Sequence, residues 1–206
     1  VNRVATGFDR ISFVYDKLVW LVYGNSIAEA QKYFLPHIPQ RSTVLILGGG
    51  TGWILTEIGK QKMACEIWYI DASDSMIRLS KKRKTNEQIH FITGTENEIP
   101  ASVRFDIVIT NFYLDLFPED KLKEVIDKIT FVTHPESRWI VTDFVNNKKW
   151  WQSIMLKSMY FFFMVVCKIE AGNLPDWHLA LRERGFIKKE SKLFYGNFIE
   201  SAIYAP

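Results

Sequence analysis

Cysteine is scarce: the 206 residues include only Cys65 and Cys167, far apart and outside any C-x-x-C or His/Cys cluster. A disulfide framework and a zinc site are both unsupported, and no metal is expected. Long hydrophobic runs are missing too. The longest uncharged one, "MYFFFMVVC" at 159–167, is too short to span a bilayer, and "VNRVATGFDR" at the start has no apolar core of signal-peptide length. A soluble, cytoplasmic protein without a transmembrane segment is the expectation. Charge of one sign is lacking as well, because 26 Lys and Arg against 23 Asp and Glu leave a net charge of +3, spread along the chain. Without a basic arm or stripe, no nucleic-acid partner is expected. The densest cluster, "KKRK" at 81–84, reads as a solvated helix end, where cations suit the negative pole of the dipole.

What is present is the composition of one globular domain, with 48% hydrophobic and 24% charged residues. Five β-rich runs recur: "TVLIL" (43–47), "EIWYI" (66–70), "IHFIT" (89–93), "FDIVIT" (105–110) and "RWIVTDF" (138–144). Their near-continuous apolar character predicts strands buried on both faces, as in a parallel sheet covered by helices. Helical patterns lie between them near 52–60, 74–84 and 119–131, introduced by Thr51, by Ser73 or Asp74, and by Pro118 as a first-turn proline. Further helices are predicted over 8–37, split at "YGNS", and near 147–167 and 177–184. The last twenty residues read as two strands joined by a tight turn at Gly196-Asn197.

The most informative stretch is "LILGGGTGWIL" at 45–55, a strand that runs into a glycine turn and then a helix. Open α/β sheets bind ligands at such turns. The dinucleotide fingerprint G-x-G-x-x-G needs a third glycine where Trp53 stands, and the Lys and Ser or Thr of a P-loop are absent. The spacing is instead G-x-G-x-G, at Gly48, Gly50 and Gly52. Asp71 ends the second strand, 19 positions on, where a carboxylate can accept both hydroxyls of a ribose.

This arrangement resembles the class I S-adenosylmethionine-dependent methyltransferases of small-molecule type, including the quinone-biosynthesis enzymes, over nearly the whole chain. The resemblance implies an α/β, Rossmann-like, doubly wound sheet of seven strands, order 3-2-1-4-5-7-6 with the last strand antiparallel, under N-terminal lid helices. It implies one domain over 1–206, with a lid at 1–40, a cofactor-binding core at 41–146, and substrate-side helices with a hairpin at 147–206. In "VLILGGGTGWIL" the turn Gly48, Gly49, Gly50, Thr51 and Gly52 would lie against the methionine part of S-adenosyl-L-methionine. In "IWYIDASDSMI" the resemblance implies that Asp71, Ala72 and Ser73 border the ribose and Met76 the adenine. "FITGTENEIP" offers Thr95 or Glu96 to adenine, and "FDIVITNFYLDLF" sets Asn111, Phe112 and Tyr113 near the reacting methyl. Tyr15 and Asp16 match the Tyr-Asp pair of the lid, close to cofactor and substrate.

Each assignment has a plainer rival. The glycines could serve only a tight turn, Asp71 could cap a helix, and Met76 could be ordinary core. The segment "KKWWQSIMLKSMYFFFMVVCKIE" carries ten residues without a charge after Lys157, so its apolar faces must be covered. Burial on the sheet, a wall for an apolar or aromatic substrate formed by Trp150, Trp151, Met155 and Phe162, and a dimer or membrane-surface contact are the three readings. Tyr15, Tyr113 and His178 are the candidates for a catalytic group, while His37, His90 and His134 read as structural. The expected function is methyl transfer to a small molecule by a monomer or homodimer. An NAD(P)-dependent oxidoreductase and a cofactor-binding protein without turnover are the alternatives.

Overall fold

The structure is a computed structural model that describes residues 20–167 and 171–206. Its centre is β1 (Thr43–Leu47), four of whose five residues are buried. Around it lie β2 (Glu66–Asp71), β3 (Gln88–Thr93), β4 (Ile107–Asn111), β5 (Arg138–Phe144), β6 (Ile187–Phe194) and β7 (Ile199–Ala205). They form one seven-stranded sheet in the order β3-β2-β1-β4-β5-β7-β6. Strands β1 to β5 pair in parallel, whereas β7 runs antiparallel to both β5 and β6.

Alternation along each strand feeds two apolar layers. Leu45, Leu47, Val108 and Val141 face α4 (Glu119–Phe131) and α6 (Trp177–Glu183), meeting Leu122, Ile126, Trp177 and Leu181. Val44, Ile46, Ile67 and Ile109 face α2 (Trp53–Gln61) and α3 (Asp74–Ser80), meeting Ile54, Leu55, Ile58 and Ile77. A third cluster forms beyond the carboxyl edge of the sheet. There Tyr23 and Ala30, the latter on α1 (Ser26–Lys32), pack with Phe144, Phe198 and with Leu156 and Tyr160 of α5 (Trp150–Val166). The edge strand β6 is exposed along most of its length and carries Lys188, Lys189, Glu190 and Lys192, charges that discourage edge-to-edge pairing.

Several element ends differ from the sequence expectation, each for a local reason. The N-cap of α2 is Gly52 at φ 77°, not Thr51, because the turn enters the helix through a left-handed residue. Ser73 caps α3 by accepting from Met76 N. That helix stops at Ser80 instead of running to 84, as Lys82 and Arg83 donate to the carbonyls of Leu79 and Ser80 in tight turns. Pro118 is the N-cap of α4 and not its first helical residue. Lys148, at φ 59°, delays α5 to Trp150. The hairpin turn is longer than Gly196-Asn197, since Phe194 pairs with Ile199 and Tyr195, Gly196 and Asn197 are all left-handed.

Candidate functional site

The carboxyl ends of β1, β2, β3 and β4 open into a cavity of about 920 Å³. Its far wall comes from residues 20–31 and from α5. Gly48, Gly49, Gly50, Thr51, Asp71, Ala72, Met76, Thr95, Glu96, Asn111, Phe112, Tyr113, Met155 and Phe162 all line it. Gly52, Ser73, Trp150, Trp151 and His178 are not on its wall. Tyr15 and Asp16 fall outside the described residues.

The four glycines of the turn are needed for different reasons. A Cβ at Gly48 would come within 2.5 Å of the Tyr113 ring, one at Gly49 would overlap the Tyr69 ring, and one at Gly52 would press on Ser80 at 2.5 Å. Those three positions make room for the protein's own side chains. At Gly50, with φ 65°, an added Cβ would meet nothing within 4 Å, so that side of the residue faces open space. Gly50 N donates to Asp71 Oδ2 at 2.8 Å, and Tyr69 Oη donates to Gly50 O at 3.0 Å. Asp71 Oδ1 accepts from Ser73 N at 2.9 Å. The carboxylate is thus fixed in orientation at the end of β2.

Arg83 is a part of this turn that its sequence context conceals. Its Nε donates to Thr51 O at 2.9 Å and a terminal nitrogen donates to Thr51 Oγ1 at 3.2 Å. One member of the "KKRK" cluster therefore buttresses the glycine turn instead of merely decorating a solvated helix end.

On the β3 side, Thr95 Oγ1 accepts from Asn97 N and Asn97 Nδ2, and donates to Glu98 Oε2. It is spent on a capping box. Glu96 Oε2 accepts from Tyr113 Oη at 3.0 Å. Burial, followed by the charge of Glu96, raises the Tyr113 phenol well above its ordinary value, so Tyr113 stays protonated and is unsuited to act as a base. His178 is held elsewhere: it stacks on Trp177 at 3.7 Å, meets Tyr204 Oη at 2.6 Å and sits 3.3 Å from Glu200.

Of the two polar groups on the wall with an unpartnered oxygen, Asn111 is one the sequence names as a site residue and Asp115 is one it does not. Asn111 Oδ1 is buried without a partner, and Phe112 beside it adopts φ 51°, a costly conformation for a bulky residue, with its ring 4.8 Å from Phe144. Asp115 is 3% exposed, lines the cavity, and leaves Oδ1 unpartnered. Its neighbour Asp143 is fully buried and accepts from the backbone nitrogens of Leu114, Asp115 and Phe144. Burial raises both carboxyls, that of Asp115 to about 7, and the charge of Asp115 raises Asp143 further. Each is the only acid in a largely apolar run, "NFYLDLF" and "RWIVTDF", which is the signal that marks them.

The cavity is acidic. Asp71, Glu96 and Asp115 line it, against Lys121 as the one cation among the described residues. That lining suits a cationic ligand and opposes a diphosphate. The residues also fit a nucleoside: a fixed carboxylate at the end of β2, open space on the Cβ side of Gly50 and an orphaned amide oxygen at Asn111. No group of three or more metal-ligating side chains occurs among the described residues.

The family model described as "Methyltransferase domain" matches residues 44–136, the stretch that carries all four of these strand ends. Over that segment the chain is similar to methyltransferase domains, and its sheet order is the one expected from the resemblance to the class I S-adenosylmethionine-dependent methyltransferases. Among curated proteins it is similar to the malonyl-[acyl-carrier protein] O-methyltransferase of Priestia megaterium, 27% identical over 107 residues. That match covers 52% of this chain, which spans only 38% of the relative's length. Among solved structures it is similar to the Burkholderia thailandensis 1,6-didemethyltoxoflavin-N1-methyltransferase with bound 1,6-didemethyltoxoflavin and S-adenosylhomocysteine. The TM-score is 0.67 at 15% identity, over 98% of this chain and 87% of that one. A Haloferax volcanii chain described as a methyltransferase, in complex with the Trm112 activator, gives a TM-score of 0.75 at 14% identity over 98% and 96% of the two chains. At these identities the two structures bear on the fold alone.

Proposed function

We propose that this protein transfers a methyl group from S-adenosylmethionine to a small apolar or aromatic acceptor bound against α5. The observation that carries the proposal is the acidic cavity in which Asp71 holds the amide of Gly50. A turn whose amide is already donated to a carboxylate is poorly suited to a pyrophosphate, and acids favour a sulfonium. When bound, S-adenosylmethionine supplies an electrophilic methyl group and leaves as a neutral thioether.

The chain's own residues then have separate tasks. Asp71 accepts the ribose hydroxyls, the backbone at Gly48 to Thr51 lies along the methionine part, and Met76 and Glu96 border the adenine. Thr95 is the weaker adenine partner, because its hydroxyl is already engaged three times. Phe112, Phe144, Met155, Met159 and Phe162 make the acceptor side dry, which strengthens the attraction between cationic sulfur and nearby rings. Asp115 is the proton acceptor for an O–H or N–H substrate. As the substrate's lone pair closes on the methyl carbon, its proton passes to the unpartnered Asp115 Oδ1. A carboxyl that titrates near neutrality is matched to that work.

Thermal unfolding with S-adenosylhomocysteine and with NAD tests the reading. Ligand at about one hundred times its dissociation constant adds about 2.7 kcal/mol, so the thioether raises Tm by several degrees and NAD leaves it unchanged. Stabilisation by NAD alone would overturn it.

A further inference from the structure

Helix α5 shows a second apolar surface that the core does not use and that meets the cavity only at Ile154. Trp150 is 77% exposed, Ile154 56%, Phe161 68% and Val165 62%. Their spacing of four, seven and four residues puts them on one stripe of the helix, with Lys157 in the gap and Met164, also exposed, beside Phe161 and Val165. Exposed apolar residues scattered singly need no explanation, but a continuous stripe along a 17-residue helix does.

Two neighbouring features say what meets it. Residues 144–167 contain three lysines, Lys148, Lys149 and Lys157, all exposed, and no acidic residue. The stripe is thus apolar with a cationic margin, the complement of an anionic lipid surface, into which tryptophan rings sink and from which lysine stems reach out. The stripe is also continuous with the mouth of the cavity. Ile154 belongs to both, and across the opening Trp20 (63% exposed) and Val22 line the cavity and extend the same apolar surface together with Leu21 (75% exposed). No helix among the described residues is long and apolar enough to cross a membrane, so the contact is one of lying on the surface.

The geometry points to α5 as a docking face for an anionic membrane surface, with the cavity mouth held against the bilayer so that a lipid-soluble acceptor enters from it. The acceptor part of this inference rests on the methyltransferase reading; the docking part does not. A second copy of the chain is the rival occupant of the stripe.

Co-sedimentation of the full chain with vesicles tests it, using phosphatidylcholine alone and phosphatidylcholine with about 30% phosphatidylglycerol. The comparison variant is Trp150→Ser/Phe161→Ser/Val165→Ser, three residues that do not line the cavity. The native chain is expected to partition into the anionic vesicles with a blue-shifted tryptophan emission and more weakly as salt rises. The variant is expected to bind at least about tenfold less, since partition scales with buried apolar area, while retaining its melting shift with S-adenosylhomocysteine. Absence of binding to anionic vesicles overturns the proposal. So does a native dimer in light scattering that the variant breaks, with vesicle binding unchanged between the two. Loss of the S-adenosylhomocysteine shift in both proteins, with vesicle binding intact, removes the methyltransferase reading and leaves the docking face standing.

Discussion

The two walls of the cavity are made in opposite ways. The wall at the ends of β1 and β2 is backbone, a glycine turn fixed by Asp71, Tyr69 and Arg83 within 36 positions of sequence, from 48 to 83. The opposite wall is side chain, drawn from residues 20–31, 112–117, 144 and 154–163. Backbone at a strand end cannot be repacked without breaking the sheet, so the first wall is suited to a ligand that never changes. A helix such as α5 touches the sheet through a few residues, Leu156 and Tyr160 being its buried apolar side chains, and its cavity-facing positions can vary at little cost to the fold. On the proposed reading, one wall fixes the cofactor and the other is free to choose the acceptor.

The largest expected break in that contrast comes from the acceptor wall. Burial raises the Asp115 carboxyl to about 7, above its unfolded value, so the native state takes up protons as pH falls through that range. The stabilising effect of a raised carboxyl is greatest below the unfolded value near 3.8 and is lost as pH rises through about 7. The groups packed around it, Asp143 of β5, Tyr160 of α5 and Tyr23, supply no cation to offset the charge; both phenols are themselves raised, chiefly by burial and then by Asp115. Asp115→Asn is expected to abolish a decline in unfolding free energy on the order of 3 kcal/mol between pH 5 and 8, measured by urea titration. It is also expected to remove the rise of turnover through pH 7. A stability curve parallel to the native one would show that the carboxyl does not titrate there.

On the proposed cofactor wall, Asp71→Ala leaves the amide of Gly50 without its acceptor and, on that reading, the ribose without its partner. The expected loss in affinity for S-adenosylhomocysteine is about 1.5–3 kcal/mol by calorimetry, the value of hydrogen bonds to a charged group. The same titration on Met155→Ala or Phe162→Ala, at the other wall, is expected to change little. Equal losses at both walls would dissolve the division of labour.

The same division explains what the sequence discloses. The glycine turn and Asp71 are legible because they rest on local pattern, an apolar strand, bare backbone, a helix, then an acid at the next strand end, and the sheet order is expected only through the family resemblance those motifs carry. The helix limits are less so, since Arg83 leaves its helical pattern for a partner at Thr51, more than thirty positions away. Asp115 and Asp143 are harder still. Each is a lone acid in an apolar run, and only the parallel pairing of β4 with β5 brings the two together. Trp150 and Trp151 look equivalent as neighbours, yet Trp151 turns inward to Tyr195 and Phe198 while Trp150 faces out, a difference of 100° on the helix that composition does not reveal.

The smallest effects, and the sharpest contrast, lie within the glycine turn itself. Gly49→Ala drives a methyl group into the ring of Tyr69, a fully buried residue that packs on Phe91 and anchors Gly50 O. The ring cannot retreat without giving up that bond, so the fold is expected to lose about 1–2 kcal/mol in urea unfolding. Gly50→Ala meets no atom and is expected to cost the fold only its left-handed backbone, about 1 kcal/mol. Its methyl group, however, projects toward the space where the ligand backbone would lie, so the weaker effect on folding should accompany the stronger effect on S-adenosylhomocysteine affinity. If Gly50→Ala bound the thioether as tightly as the native chain, the open side of residue 50 would not be the side the cofactor occupies.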